Sequence, residues 1–175
     1  MIIVVTGMPG AGKEEFLQVA GLVGIPAVRM GDMVREAYPA SPECGKGLGI
    51  GEFANAERER FGKNIWAKRT IEKMGGGTFL VDGCRSMDEI RSFREICERV
   101  CIIGIHSPPD IRYERLVKRG REDAPRNKDA FDKRDSREIS WGLAEDIAMS
   151  DIMIVNVSGL SGFHSASERV LRGLL

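Results

Sequence analysis

Residues 1–16 read MIIVVTGMPGAGKEEF. Ile2 to Val5 is a short β-branched, apolar run, and Gly7-Met8-Pro9-Gly10-Ala11-Gly12-Lys13 follows it directly. The run has the character of a buried strand. The G-x-x-x-x-G-K spacing is that of a phosphate-binding loop set between a strand and a helix. Glycines let the backbone curl until successive N–H groups face one anion, and the helix beginning near Lys13 aims the positive end of its dipole at the same point. Lys13 is then placed to reach the β- and γ-phosphates of a nucleoside triphosphate. Gly7, Met8, Pro9, Gly10, Ala11, Gly12 and Lys13 are therefore candidate nucleotide contacts. The next position departs from the usual pattern. A Ser or Thr after the lysine normally helps to hold Mg²⁺, whereas this chain carries Glu14 and then Glu15. A carboxylate ligates Mg²⁺ but also repels phosphate, so both glutamates are candidate nucleotide neighbours and Glu14 a candidate metal ligand.

Beyond the loop, strand and helix patterns alternate. Strands are expected at about Ile2–Thr6, Ala27–Met30, Thr78–Val81, Val100–Ile105 and Ile152–Val155. Between them lie helical patterns, among them a helix capped by Ser86, one opened by Pro108 and Pro109, and a polar helix running to about Ile147. Ile50 to Met74 reads as a long amphipathic stretch broken near Gly62, and Tyr38 to Leu48 as a loop. Alternation of this kind predicts an α/β fold with a parallel five-stranded sheet between two helical layers. Such sheets place ligands at the carboxyl ends of their strands. The loop from Gly7, the Gly31-Asp32 turn, the Asp82-Gly83 turn, His106 and Asn156 all fall at such ends.

The 175 residues are expected to form one domain, without repeats or an interdomain linker. Lys and Arg total 26, as do Asp and Glu, so global charge favours neither nucleic acid nor a membrane surface as partner. No apolar run approaches the ~20 residues of a membrane span, and the chain opens without a basic leader. A cytoplasmic location is expected. Cys44, Cys84, Cys97 and Cys101 lack the paired spacing of a zinc site and are expected to be reduced, structural thiols.

Taken together, these segments resemble the adenylate-kinase branch of the P-loop kinases, most closely an archaeal family of adenylate-kinase-related proteins, over nearly the whole chain. Gly7 to Lys13 resembles the ATP loop. Gly31-Asp32-Met33-Val34-Arg35 resembles the monophosphate-site signature, in which Arg35 would grip the acceptor's phosphate. Asp82-Gly83-Cys84-Arg85 resembles the segment in which the aspartate orients Mg²⁺ through water and the arginine contacts the acceptor. Arg115 to Arg121 resembles the helix entering a lid, here about 120–127, and Arg134 the arginine that closes on the transferring phosphoryl. Residues 32–74 would be the helical acceptor-binding insertion. Three places depart from the family pattern: Glu14 and Glu15 replace a glycine and a threonine, Met30 replaces a threonine near the acceptor base, and the lid is short and lacks metal-binding cysteines.

The resemblance implies an enzyme that uses ATP and Mg²⁺ to phosphorylate a small phosphorylated acceptor such as AMP, acting as a monomer or homodimer. Phosphoryl transfer needs in-line positioning and positive charge around the equatorial oxygens. Lys13, Arg35, Arg85, Arg121 and Arg134 meet that demand from separate segments, with Asp82 to organise Mg²⁺ and Arg115 and Asn156 near the nucleotide. The remaining charges of residues 115–137 read as a solvated helical face, His106 as a strand-end hydrogen-bonding residue, and Phe61 and Trp66 as core. Two alternatives stand beside this expectation. One is a kinase for another acceptor, such as dephospho-coenzyme A. The other is a nucleotide-binding sensor with little turnover, motivated by Glu14 and Glu15.

Overall fold

The computed structural model describes residues 1–120 and 124–175. Among these residues five strands, β1 (Ile2–Thr6), β2 (Ala27–Arg29), β3 (Phe79–Asp82), β4 (Val100–His106) and β5 (Ile152–Val155), form one sheet in the order β2-β3-β1-β4-β5. All four neighbouring pairs are parallel. The unbroken apolar run of β1 is explained by its central place, where every residue is buried. Alternate side chains feed opposite faces. Ile3 and Val5 join Phe16, Ile103, Phe163 and Leu171 in one core, while Ile2 and Val4 join Phe53, Trp66, Ile90, Phe93 and Ile102 in the other. Burying a side chain of this size contributes roughly 1.5–3 kcal/mol, and the two cores clamp the sheet between helical layers.

Helices α1 (Lys13–Leu22), α2 (Met30–Ala37), α3 (Pro42–Gly45), α4 (Ile50–Phe61), α5 (Ile65–Ile71), α6 (Met87–Ile96) and α7 (Pro109–Arg119) follow in chain order. After residue 123 come α8 (Lys128–Ser140), α9 (Leu143–Ala148) and α10 (Leu160–Leu174). Ser86 caps α6 as its sequence predicts, its hydroxyl accepting from the Glu89 N–H at 3.4 Å. The segment Tyr38–Leu48 is more ordered than a loop, with a 3-10 turn at Tyr38–Ala40 followed by α3. The polar helix expected to reach Ile147 is two helices. Gly142 breaks it with φ +106°, and a Cβ there would stand 3.0 Å from the Arg85 carbonyl oxygen. Close packing against the β3–α6 turn therefore outweighs helix propagation at that point. No described helix is long and apolar enough to cross a membrane.

Register sets up the site. Val5 lies opposite Asp82, and Arg29 lies opposite Asp82 on its other side. The ends of β2, β3 and β1 thus stand abreast, with the glycine loop issuing from β1.

Candidate active site

A cavity of about 900 Å³ opens along the carboxyl ends of these strands. The loop forms one end of it. Gly7 passes so close to β4 that a Cβ would lie 2.5 Å from the Ile105 carbonyl oxygen, and at Gly10 one would lie 2.8 Å from that of Arg112. Glycine is required at both places for the backbone to fit. Lys13 folds back over the loop, its Nζ donating to the Gly7 carbonyl at 2.5 Å. Burial pushes the Lys13 amine below its usual pKa; Asp82 and Glu138 act in the opposite sense, while Arg85 and Arg134 add to the lowering. That set of neighbours shows how closely the charges from β3, α8 and the loop are gathered.

Asp82 ends β3 beside Lys13. Burial raises its pKa, Lys13 and Arg29 pull it down, Glu14 raises it and Arg85 lowers it. Its Oδ1 is buried without a hydrogen-bond partner. A buried oxygen with an unused lone pair is costly unless something fills it. Water bound to a divalent cation fits this donor, with Glu14 as the neighbouring carboxylate. No three His, Cys, Asp or Glu side chains among the described residues are grouped to ligate a metal directly, so Mg²⁺ suits the residues present as an ion held through water.

The far end of the cavity carries cations on an apolar wall. Arg35 on α2 lines it and is paired with Asp32, its neighbour one turn back; Asp32 is not itself a lining residue. Gly31 lines the wall beside the Arg35 guanidinium. Arg85 is held from three sides. Its guanidinium carbon lies 4.6 Å from the Trp141 ring centre, its Nε lies 3.7 Å from Glu138 Oε2, and its backbone N–H donates to Glu89 Oε2 at 2.8 Å. Trp141 caps the C-terminal end of α8, immediately before the break at Gly142. Arg134 reaches the same cavity from α8. Arg121 lies outside the described residues, as does the 121–123 part of the expected lid.

Several predicted nucleotide contacts are tied up with the loop itself. Asn156 is buried, and its Nδ2 donates to the Ala11 carbonyl at 2.8 Å. Arg115 donates through Nη1 to Ser107 Oγ at 2.9 Å and through Nη2 to the Asn156 carbonyl and Oδ1, both at 3.2 Å. These groups brace the loop from the β4 and β5 side, and both Arg115 and Asn156 also line the cavity. Pro9, Gly10, Gly12, Glu14 and Glu15 line it as well, whereas Met8 and Ala11 do not. Glu14 pairs with Arg29 (Oε1 to Nη2, 2.6 Å), and Glu15 with His164 (Oε2 to Nε2, 2.9 Å). Trp66 is core, fully buried with its Nε1 donating to the Ala54 carbonyl at 3.1 Å, whereas Phe61, read with it as core, is exposed at the end of α4.

Three arginines escape the sequence reading. Arg29 enters the cavity from the end of β2, a strand-end position that the ligand rule for parallel sheets could have flagged. Arg58 on α4 lines the wall and donates to buried Glu89 at 3.3 Å; in Glu57-Arg58-Glu59-Arg60 it looks like any solvated face. Arg112 is buried, contacting Pro9, Ser107 and Asp135, and no sequence spacing announces those partners.

A glycine loop between a central strand and a helix, a lysine folded over it, and an aspartate on the adjacent strand end define a P-loop nucleotide-binding domain. Agreement comes from a family model described as an AAA domain, which matches residues 3–138. The chain belongs to that family and to the UPF0200 family. It is 39% identical over 171 residues to the UPF0200 protein of Thermoplasma volcanium, covering 97% of this chain and 96% of that one. The UPF0200 protein of Sulfurisphaera tokodaii is 40% identical over 175 residues, covering 99% and 97%. That of Methanopyrus kandleri is 40% identical over 183 residues, covering 100% and 91%.

Proposed function

We propose that the chain is an ATP- and Mg²⁺-dependent phosphotransferase acting on a small phosphorylated acceptor, with a nucleoside monophosphate such as AMP as the acceptor class. The observation that carries this reading is one continuous cavity that joins the Lys13 loop to Arg35, Arg58 and Arg85, with Asp82 between. A nucleotide-binding module that did no transfer would have no need of a second cationic end. Residues 32–74 serve as the acceptor-binding insertion of a single-domain enzyme.

In this mechanism the loop amides and Lys13 hold the triphosphate. Arg35 and Arg85 hold the acceptor phosphate, so that the acceptor oxygen faces the γ-phosphorus in line. Bound Mg²⁺ would supply charge neutralisation across the phosphate oxygens, and Asp82, with its unfilled Oδ1, would hold it through water. Arg85 keeps its aim because the Trp141 face and Glu138 fix its plane. Arg134, with Arg121 from the lid, gathers the charge of the transferring group and excludes water. The acceptor atom is already an anionic oxygen, so no general base is required.

The pairing of Glu14 with Arg29 supports an enzyme over a weak-binding sensor, because the carboxylate next to the loop lysine is compensated by a cation. The test is ADP release from Mg·ATP against AMP, CMP, UMP, GMP and dephospho-coenzyme A, with Arg85→Ala as control. Turnover with one monophosphate, lost in the control, is the expected result. Turnover confined to dephospho-coenzyme A would replace the acceptor class, and silence across the panel with retained nucleotide binding would replace the reading with the sensor.

A further inference from the structure

The residue that breaks the loop pattern, Glu14, is joined to a cation that the pattern does not contain. Arg29 ends β2 directly beside Asp82, its register partner on β3, and its Nη2 meets Glu14 Oε1 at 2.6 Å. Both side chains line the cavity between the loop and the acceptor end, and each remains about two-fifths exposed (41% and 39%). An ion pair that wet contributes at most about 1 kcal/mol to stability, so its consequence is geometric. Two carboxylates compete for Arg29, those of Glu14 and Asp82. Arg29 donates to Glu14, while the buried Oδ1 of Asp82 has no hydrogen-bond partner, although Arg29 stands near enough to lower the Asp82 pKa.

We infer that Arg29 is a further phosphate-binding residue of this cavity and that Glu14 is its positioning residue, holding the guanidinium off Asp82 and over the path between Lys13 and Arg85. A planar guanidinium with several donors grips phosphate oxygens while one edge stays on a carboxylate. This gives Glu14 a role other than metal ligand. It also explains why a carboxylate is tolerated beside a phosphate loop, since its charge is spent on Arg29. The inference rests on the phosphotransferase reading for the identity of the acceptor, but not for the binding of phosphate itself.

The deciding experiment is calorimetric titration of the full-length protein with inorganic tripolyphosphate and Mg²⁺, for wild type, Arg29→Ala, Arg29→Lys, Glu14→Ala and Glu14→Gln, with melting curves to confirm folding. Arg29→Ala should weaken binding tenfold or more, and Arg29→Lys should restore part of that loss. Glu14→Ala is the sharper arm. Removing a negative charge next to a phosphate site strengthens binding on charge grounds alone, so a weakening of threefold or more identifies positioning. Glu14→Gln, which keeps an acceptor oxygen, should fall between Glu14→Ala and wild type. Equal affinity for Arg29→Ala and wild type would overturn the phosphate role, and tighter binding by Glu14→Ala would overturn the positioning role. With any acceptor that the wild type turns over, Arg29→Ala should change kcat more than the KM for ATP. Silence across the acceptor panel would defeat the proposed function while leaving the tripolyphosphate result to decide this one.

Discussion

Arg112 grips Asp135 through both ends of its guanidinium, Nη1 to Oδ1 at 2.9 Å and Nη2 to Oδ2 at 2.5 Å. The same Nη1 donates to the Pro9 carbonyl at 3.1 Å, and Nε donates to that of Ser107 at 3.1 Å. One side chain, 4% exposed, thus joins the glycine loop to α8, the helix that carries Arg134 and Glu138. Phe131 covers it, its ring centre 5.0 Å from the guanidinium carbon.

Removing the carboxylate leaves a buried, uncompensated cation. Asp135→Ala should therefore cost about 3–5 kcal/mol of stability, and Asp135→Asn less, read by urea denaturation. A loss under about 1 kcal/mol for Asp135→Ala would mean that the pair is not buried in solution. Phosphoryl transfer should fall further than stability explains, because Arg134 sits one residue from the severed link.

Lys13→Met removes the loop's charge while preserving much of the side-chain volume. Losing a preorganised cation at a phosphoryl site costs on the order of 100-fold or more in rate. With the acceptor that the wild type uses, kcat/KM should fall by at least that factor while acceptor binding, followed by calorimetry, stays within a few-fold. Retained turnover would remove Lys13 from the mechanism.

Asp82→Asn should separate stability from activity. The carboxylate is held with an unpaired buried oxygen and a pKa raised by burial, so the neutral amide relieves a cost that the fold carries. The expected result is a melting temperature at or above wild type, with a gain on the order of 1 kcal/mol. A rise in the Mg²⁺ concentration needed for half-maximal turnover should accompany it. Unchanged Mg²⁺ dependence would exclude Asp82 as the group that organises the ion.

Asp146 on α9 sets a pH dependence. It is fully buried, neither carboxylate oxygen has a hydrogen-bond partner, and burial, reinforced by Glu89 and Glu145, raises its pKa from 3.8 to about 7. The folded state therefore binds this proton more tightly than the unfolded state. Stability from this group is full below about pH 4, declines as pH rises towards about 7, and stays low above that, a difference on the order of 4 kcal/mol. Asp146→Asn should raise the melting temperature at pH 8 and flatten the profile between pH 5 and pH 8. A variant profile parallel to wild type would show that Asp146 does not titrate there.

The parts of this molecule that were legible in its sequence are those governed by local rules. The β1 run, the glycine loop, the Ser86 cap and the strand-end position of Asp82 each follow from spacing that neighbouring residues impose. What stayed hidden depends on partners far along the chain. Arg112 looks like one charge among many on α7, and only the approach of Pro9 and Asp135 makes it a brace. Asn156 was legible as a strand-end residue, but not as a support for Ala11. The break at Gly142 was missed because the polar pattern continues across it; the obstacle to a continuous helix is the Arg85 carbonyl, which belongs to another element. Glu14 was legible as an anomaly, and Arg29 as the residue that answers it was not.

That pair makes the departure in the loop a trait of two positions. A single change from Glu14 to Ser would restore the common motif but strand Arg29 beside Asp82, and a single loss of Arg29 would leave Glu14 facing phosphate unopposed. Either step alone crosses a disadvantageous intermediate, so the two residues should be inherited together. Relatives with a hydroxyl after the loop lysine should lack an arginine at the position of Arg29, and those with the glutamate should keep it.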